Sequence, residues 1–410
     1  MLSVAEAQKQ ILASFRPLEP VQVTLNQALG RVLAEPVRAP ADFPAFDHSS
    51  VDGFAVHASQ VSAASPKQAV RLKVIGDIPA GSTPAFSLAP GEAARIMTGA
   101  PLPTGADTVV MIEDTDLFQQ APGQAAPEQV VILKAVQPGE NVRRRGTDLQ
   151  IGQELLPGGH RLRPQDLGLL AMLGQANLSV FRLPRVALIS SGDELLPVEA
   201  PLEPGKIHDS NTYSLAALAE KAGCEVLRPG IAADRLEAVQ ALLDQAADLH
   251  PDVIISSAGV SVGAFDYVKS VVEKSGSLGF WKVNMRPGKP LAFGEYRGIP
   301  FFGLPGNPVS AFVSFLVFVE PALERLSGLQ TEDRPRVRVI LEEPIESDGR
   351  ESYLRAMVQS KNGQYFARLT GHQGSGNLFS LVQANALLII PSGVKSCPPG
   401  SEAVAWLLPG

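Results

Sequence analysis

Short apolar runs alternate with amphipathic segments through the third quarter of the chain. The runs at 186–189, 224–228 and 253–255 have the length of buried strands, and residues 211–222 and 234–247 between them have helical periodicity. Alternation of strand and helix is typical of a right-handed, doubly wound parallel sheet. We therefore predict an α/β domain over residues 181–330.

The flanking regions show a different pattern, in which short alternating strands are separated by glycine and proline. Predicted strands lie at 71–75, 92–97, 108–111 and 130–133, with a hairpin tip at 119–129. A second β-rich region begins at 337–340 and runs to the end of the chain, where it predicts a small barrel. Helices are predicted at 3–15, 24–33 and 164–172.

These patterns predict an α/β multidomain protein with a doubly wound parallel-sheet domain, a β-rich N-terminal region and a C-terminal β-barrel. The predicted parts are an N-terminal helix packed on the central domain (1–17), an N-terminal domain in two pieces (18–48 and 140–180), an inserted β-rich domain (49–139), the α/β domain (181–330) and the barrel (331–410).

Composition narrows the class of partner. The chain of 410 residues has 45% apolar residues and a net charge of -7, which argues against binding to bulk nucleic acid or to an anionic membrane. The longest apolar run, 309–319, is too short to span a bilayer. Two cysteines without metal-like spacing indicate reduced thiols. We expect a cytoplasmic protein.

The candidate chemistry concentrates in residues 252–324. The strand at 253–255 enters a small-residue loop, the kind of segment that α/β proteins place at the carboxyl edge of a sheet. A turn with three cations follows, namely Lys282, Arg286 and Lys289. Asn307 and Pro308 then suit the start of a long helix, whose N-terminus would offer unpaired N–H groups to an anion. The stretch predicts a site for a large, multiply charged anion.

Several acids follow predicted strands and therefore share one sheet edge. They are Asp193, Glu194, Asp234 and Asp266. One such acid is easily a helix cap, whereas several together favour a divalent cation, Mg²⁺, that bridges ligand phosphates.

The sequence alone does not decide the role of two features outside the α/β domain. The turn hydroxyl of Thr98 either contacts a ligand or, as we favour, satisfies its own backbone. Arg143, Arg144 and Arg145 either form a solvated face or contact an anion.

Seven motifs taken together resemble the molybdopterin molybdenumtransferase family, which includes MoeA and the gephyrin E domain. The resemblance covers essentially the whole chain. Each motif alone is a weak pattern, but seven of them in the family's order are a strong one. They are residues 50–56, 95–103, 143–146, 191–195, 258–266, 286–290 and 305–310.

The resemblance implies an activity, in which adenylated molybdopterin and molybdate give molybdenum cofactor and AMP with Mg²⁺. It also implies an elongated homodimer with each active site shared between subunits, and transient contact with other cofactor-biosynthesis proteins.

The resemblance assigns roles to individual positions. Glu194, Asp234 and Asp266 match metal and pyrophosphate positions, and Lys282 a position near the substrate. Asp52, Thr98 and Asp148 match positions expected from the partner subunit. The molybdate pocket would contain Arg286, Lys289, Ser310, Arg355 and Ser375. Further substrate-binding positions are Ser261, Gly263, Pro305, Gly306, Asn307 and Pro308.

The sequence departs from the commonest family pattern at two positions. Ala258 stands where glycine is usual, and Arg286 stands where lysine is frequent. Arginine keeps the charge and adds a planar fork of donors that matches oxyanions. We expect both departures to affect affinity rather than activity class.

Two other classes compete with this interpretation. A molybdopterin adenylyltransferase or a nucleotide pyrophosphatase on the same fold would need less than half of this length. A self-associating scaffold would not need the acids and cations at the predicted site.

Overall fold

The computed structural model describes residues 1–118, 125–257, 265–329 and 335–408, without the side chains of Phe265, Asp266 and Trp281. Contacts divide the chain into two compact units, one formed by 36–157 and the other by 1–35 with 158–410. The first unit encloses the predicted inserted domain, 49–139, and extends it on both sides.

The unit 36–157 is built on a five-stranded sheet with apolar side chains packed on both faces. All four strands predicted in this region are confirmed. The sheet order is Thr108–Met111, Gly53–Val56, Glu92–Ile96, Val70–Ile78, Gln129–Ile132. Short pairs join Val37–Arg38 to Glu154–Leu156 and His48–Ser49 to Val142–Arg143, and a helix spans Ala58–Val61.

Glycine is required where this sheet's second strand begins. A Cβ at Gly53 would lie 1.9 Å from the carbonyl oxygen of Val110 on the neighbouring strand, so no side chain fits there. The close approach of the two backbones fixes the position of Asp52, which directly precedes the strand.

The larger unit contains the predicted α/β domain as a six-stranded sheet. Its strands are β1 (Arg185–Ser191), β2 (Glu225–Ala232), β3 (Val253–Ser257), β4 (Gly276–Lys282), β5 (Pro290–Tyr296) and β6 (Ile299–Leu304). The order is β2-β1-β3-β6-β5-β4. The first four strands are parallel, and β5 and β4 add an antiparallel edge.

Five helical segments accompany this sheet. They are α1 (Ser210–Lys221), α2 (Leu236–Asp248), α3 (Phe265–Ser275), α4 (Pro308–Ser314) and α5 (Glu320–Leu326). The long helix predicted to start at Pro308 is confirmed in extent, but a π-helical segment, Phe315–Val319, joins α4 to α5.

Alternate residues of the central strands serve two hydrophobic cores, because neighbouring side chains on a strand point to opposite faces. Val186 and Leu188 of β1 pack in the core that contains α1 and the segments after β6. Ala187 and Ile189 pack in the core that contains α2 and α3. The doubly wound architecture is therefore confirmed.

The C-terminal region is a closed barrel, as predicted. Its five strands, in order around the barrel, are Glu351–Lys361, Gln364–Leu369, Arg336–Leu341, Glu402–Leu407 and Ala386–Ile390, and the last pairs with the first. The short strand Met285–Arg286 adds to it in parallel beside Glu351–Lys361. A helix, Phe379–Val382, and a strand pair, Ile345–Glu346 with Ser396–Cys397, complete this region.

The remaining elements belong to the same unit. The predicted first helix spans Val4–Ala13 and is capped by Ser3, and Pro164–Met172 is helical as predicted. Strand Pro20–Thr24 pairs with Asn177–Phe181, and strand Leu195–Leu196 pairs with Ile207–His208. Within the described ranges no helix is both long and apolar enough to cross a membrane.

The helix predicted at 24–33 is wrong. Only one 3₁₀ turn, Leu25–Gln27, forms there. The backbone N–H groups of Gly30 and Leu33 donate instead to the carbonyl groups of Leu162 and His160. Pairing with a distant segment therefore outcompetes the local helical pattern.

Candidate functional site

A cavity lies where the sheet's connections diverge. The chain leaves β1 for α1 on one face of the sheet and leaves β3 for α3 on the other, so the carboxyl ends of β1 and β3 form a topological switch point. A cavity of about 570 Å³ opens there, which we call the switch-point cavity. Its walls include Ser190, Glu194, Asn211, Ser257, Gly306, Pro308 and Leu378.

Two polar side chains at the start of α1 fix this wall. Asp209 caps the helix by accepting a hydrogen bond of 3.0 Å from the backbone N–H of Thr212. Asn211 donates through Nδ2 to the carbonyl oxygen of Gly306 at 2.7 Å. The predicted substrate-binding loop Pro305, Gly306, Asn307 and Pro308 is thereby attached to α1.

A second cavity of about 530 Å³ lies between the ends of β1 and β2. It shares Leu195 and Asp209 with the switch-point cavity, so the two are neighbours. Tyr213 lines it, with the guanidinium of Arg228 5.1 Å from the ring centroid.

Acidic groups lie beside the two cavities. The backbone N–H of Asp234 donates to Oδ1 of Asp193 at 3.1 Å, and Oδ1 of Asp234 is buried without a hydrogen-bond partner among the described residues. Burial, together with the neighbouring charges of Glu194 and Asp193, raises the pKa of Asp234. Glu194 lines the switch-point cavity and Asp193 the second cavity. Among the described side chains, no three His, Cys, Asp or Glu residues already form a metal site.

Arg355 is the most unusual cation of the site because it is buried, with 1% of its surface exposed. Its Nε donates to Oγ of Ser380 and its Nη2 to the carbonyl oxygen of Gly374, both at 3.0 Å. Within the described part of the chain no carboxylate pairs with it. Burial, and to a lesser extent the charge of Arg286, lowers the pKa of Arg355 to about 10. The side chain is therefore a buried positive charge at neutral pH.

The other predicted cations lie nearer to solvent. Lys282 and Lys289 are exposed and Arg286 is half-buried. Arg286 stands opposite Ser352 in the strand pairing, three residues before Arg355. In the described ranges these three side chains form no hydrogen bond or ion pair with protein.

The helix start at Pro308 differs from its prediction in two respects. Asn307 makes no capping hydrogen bond through its side chain. The backbone N–H of Val309, predicted to be available to an anion, donates to the carbonyl oxygen of Ser375 at 3.1 Å. Ser310 is buried one residue further on. The structure thus brings the predicted positions Ser310 and Ser375 together, with the loop Thr370–Ser380 of the barrel covering the helix start.

The unit 36–157 contains the other predicted residues. Oδ1 of Asp52 accepts from the backbone N–H of Thr98 at 2.7 Å and from its hydroxyl at 2.8 Å. Our preferred interpretation of Thr98 as bonded to its own turn is therefore wrong. The two predicted positions form one exposed pair.

Each of the three consecutive arginines has an acidic partner. Arg143 pairs with Asp148, Arg144 with Asp47 and Arg145 with Asp42, at 2.7 to 2.8 Å. Asp148 thus lies in an ion pair within its own unit. The solvated-face interpretation of this cluster fits the structure better than the anion-contact interpretation.

Comparisons with known proteins agree along the whole chain. Residues 2–174 match the MoeA N-terminal region, 187–325 a probable molybdopterin-binding domain and 338–408 the MoeA C-terminal region. A molybdopterin molybdenumtransferase from Nostoc is 40% identical over 94% of this chain and 88% of its own length. Molybdopterin molybdenumtransferase 2 from Mycobacterium tuberculosis is 40% identical over 99% of both chains. The chain belongs to the MoeA family.

Solved structures of the MoeA family extend the agreement to the fold. A molybdopterin biosynthesis MoeA protein from Pyrococcus horikoshii superposes with a TM-score of 0.85 at 34% identity, with both chains fully covered. The predicted family, fold class and enzyme class, a transferase of the MoeA family, are confirmed.

Some predicted positions lie outside the described residues. Ser261, Gly263 and the departure at Ala258 fall in 258–264, and of Asp266 only its place on α3 is described. Sequence reasoning missed Asn211, Gln373 and Ser380. The helix start Asp209-Ser210-Asn211 is a sequence pattern from which the role of Asn211 could have been predicted. No neighbouring sequence pattern indicates a role for Gln373 or Ser380.

Proposed function

We propose that this MoeA-family enzyme inserts molybdate into adenylated molybdopterin and releases AMP. The observation that carries the proposal is Arg355, a buried guanidinium held by two uncharged acceptors and, in the part of the chain that the structure describes, by no carboxylate. Burying a charge without a counter-charge is costly, so the site favours an incoming anion. Molybdate, a tetrahedral dianion, has the charge and the acceptors that this cation lacks.

Three further cations belong to the proposed oxyanion site. Arg286 is close enough to affect the pKa of Arg355, and Lys282 and Lys289 precede and follow it in the turn. Arg355 belongs to the barrel, which a bare adenylyltransferase or pyrophosphatase domain lacks. This observation favours the molybdenum transfer over either rival enzyme.

The adenylated substrate fits the two neighbouring cavities. The switch-point cavity and the second cavity have the size of sites for drug-sized ligands. Asp193 lines the second cavity and Glu194 the switch-point cavity, and both directly precede Leu195, which lines the two cavities. We infer that the ring systems of the substrate occupy the cavities and that its phosphates lie near these acids.

The acids suit Mg²⁺, which this proposal includes as cofactor. Oδ1 of Asp234 is buried and has no hydrogen-bond partner within the described ranges, and carboxylate oxygens are the hard ligands that Mg²⁺ prefers. Mg²⁺ commonly takes one or two protein carboxylates and completes its shell with water and phosphate oxygens. Asp234, Glu194 and Asp266 would hold it. The bound ion would stabilise charge on the phosphates as the anhydride breaks.

We further propose that the enzyme acts in the cytoplasm as a homodimer with shared sites, contacting other cofactor-biosynthesis proteins transiently. Asp52 and Thr98 form an exposed polar pair in the unit 36–157, and Asp148 is also exposed there. Twofold pairing is the commonest way for one chain to complete another's site.

A mixed dimer tests the shared site. Asp52→Ala and Asp266→Ala chains, each nearly inactive alone, should recover about a quarter of wild-type activity after random mixing, because half the dimers then have one intact site. Absence of recovery after verified chain exchange would place both residues in one chain's site.

The activity itself has a direct test. Purified protein is mixed with adenylated molybdopterin and Mg²⁺, and AMP is measured with and without molybdate. We expect AMP release that depends on both Mg²⁺ and molybdate. Molybdate-independent release would instead identify a pyrophosphatase, and no release would contradict the proposal.

A further inference from the structure

The loop Thr370–Ser380 holds Arg355 from several sides. Oε1 of Gln373 accepts from the backbone N–H of Arg355 at 2.9 Å, and Nε2 of Gln373 donates to its carbonyl oxygen at 3.1 Å. Thr370 donates from its backbone N–H to the same carbonyl oxygen at 3.0 Å. The barrel strand and the loop are therefore joined at the residue that carries the buried charge.

Ser380 fixes the guanidinium rather than the backbone. Its side chain has no exposed surface, and its hydroxyl donates to the carbonyl oxygen of Asn377 at 2.6 Å. Because the hydroxyl proton is committed there, the oxygen presents a lone pair to Nε of Arg355 at 3.0 Å. Gly374 accepts from Nη2.

This arrangement orients the donors that remain. A guanidinium has five N–H groups in a rigid plane, so two fixed hydrogen bonds fix the direction of the other three. Rotation of the side chain would break both bonds inside a buried site. An oxyanion therefore meets donors that are already aligned, which lowers the entropy lost on binding.

We infer that Ser380 is a positioning residue for the oxyanion site, acting through Nε of Arg355. The inference rests on the proposed function, because the anion is taken to be molybdate. The same loop lines the switch-point cavity through Gly376 and Leu378, yet Ser380 is not among the residues of that wall. Loss of its hydroxyl should therefore affect molybdate and leave the adenylated substrate unaffected.

The test compares Ser380→Ala with Ser327→Ala. Ser327 is also a buried serine whose hydroxyl donates to a backbone carbonyl, that of Leu323 at 3.0 Å, and it does not touch Arg355. We expect Ser380→Ala to raise the KM for molybdate about tenfold, the effect of one hydrogen bond to a charged group. The KM for adenylated molybdopterin should stay within about twofold by the same reasoning. Ser327→Ala should change neither constant.

Two more variants separate positioning from general stability. Ser380→Thr keeps the hydroxyl and should restore most of the molybdate affinity, whereas Gln373→Ala loosens the backbone of Arg355 and should weaken it. Calorimetric titration with tungstate gives the same comparison without turnover. The inference would be overturned if Ser380→Ala and Gln373→Ala had the same affinity for tungstate, and the same KM for molybdate, as the wild-type protein. A wild-type protein that neither binds tungstate nor releases AMP would overturn the proposed function instead.

Discussion

Two clusters of cations in this chain differ in how their positive charges are paired. Arg143, Arg144 and Arg145 each pair with an acid of their own unit, and their side chains are more than half exposed. Arg355 is buried, and its acceptors in the described part of the chain are uncharged. Arg286 lies near it and makes no described ion pair, although its charge also helps to lower the pKa of Asp348. In the first cluster each positive charge is paired with a negative charge, whereas the second cluster has an excess of positive charge.

The difference shows that an anion site is defined by missing counter-charges rather than by the number of cations. The sequence alone shows three adjacent arginines, which suggests a dense positive patch. In the structure Asp148, which is close in sequence, and Asp42 and Asp47, which are distant, neutralise their charges. Exposed pairs of this kind contribute little to stability, about 0–1 kcal/mol each. A buried unpaired guanidinium is costly unless a ligand completes it.

Replacement of Arg355 by methionine should give the largest effect. Methionine keeps much of the buried volume but removes the charge and its donors. Two charge-assisted hydrogen bonds, about 1.5–3 kcal/mol each, should be lost to molybdate, so half-saturation should need at least about a hundredfold more of it. Steady-state AMP release against molybdate concentration measures this.

The same variant should unfold at an equal or higher temperature than the wild type, because it removes a buried charge without a counter-charge. A large loss of thermal stability would indicate that Arg355 is mainly structural. That result would break the contrast between the two clusters.

Asp234→Asn should have the next largest effect. No described residue hydrogen-bonds one buried oxygen of this carboxylate, so it is an anion open to a cation as Arg355 is a cation open to an anion. At limiting Mg²⁺ we expect AMP release to fall about tenfold or more, the usual scale for losing one electrostatic contact at a reacting phosphate. Saturating Mg²⁺ should restore part of the rate. Equal rates at every Mg²⁺ concentration would remove Asp234 from the metal site.

The pH dependence of stability gives an independent check on Asp234. Its pKa is raised in the folded state, so the charged form destabilises the fold above that pKa, and protonation removes the cost as pH falls towards the ordinary value of 3.8. Without Mg²⁺, Asp234→Asn should therefore be the more stable protein at pH 7, with the advantage disappearing near pH 4. Thermal unfolding at a series of pH values measures the difference.

Lys289→Ala should have a smaller effect than Arg355→Met. Lys289 is exposed, so water screens its charge and its contribution to anion binding should be about 1 kcal/mol, near a fivefold rise in the molybdate requirement. Lys134→Ala is a matched control, because Lys134 is also an exposed lysine but already pairs with Asp114. Equal effects of the two variants would contradict the role of counter-charges.

Arg144→Ala should have the smallest effect. Its ion pair with Asp47 is exposed, so we expect a change in unfolding free energy below about 1 kcal/mol and no change in the molybdate requirement. A strong rise in the molybdate concentration needed for turnover would indicate that the arginine cluster does bind an anion. The double variant with Asp47→Ala isolates the pair energy.

Predictions from the sequence are correct where the local hydrophobic pattern and the tertiary structure favour the same element. Strand periodicity located β1 and β3, and the small residues after them located the switch-point edge. It was a poor guide where distant segments decide, as at Leu25–Gln27 and in the pairing of Arg144 with Asp47. Burial of Arg355 followed from barrel closure and from the loop that supplies Ser380, neither of which has a short-range signal.

The packing of the first helix has a consequence for the order of events during synthesis. Gln8 of Val4–Ala13 donates to the carbonyl oxygen of Val317, 309 residues later, and the helix packs in the core beside α5. At about 5–20 residues per second, a ribosome needs roughly 15–60 s to supply that partner. The continuous unit 36–157 is complete long before then. For most of its synthesis the nascent chain therefore exposes the apolar side chains of Val4–Ala13 without the surface on which they pack in the folded protein.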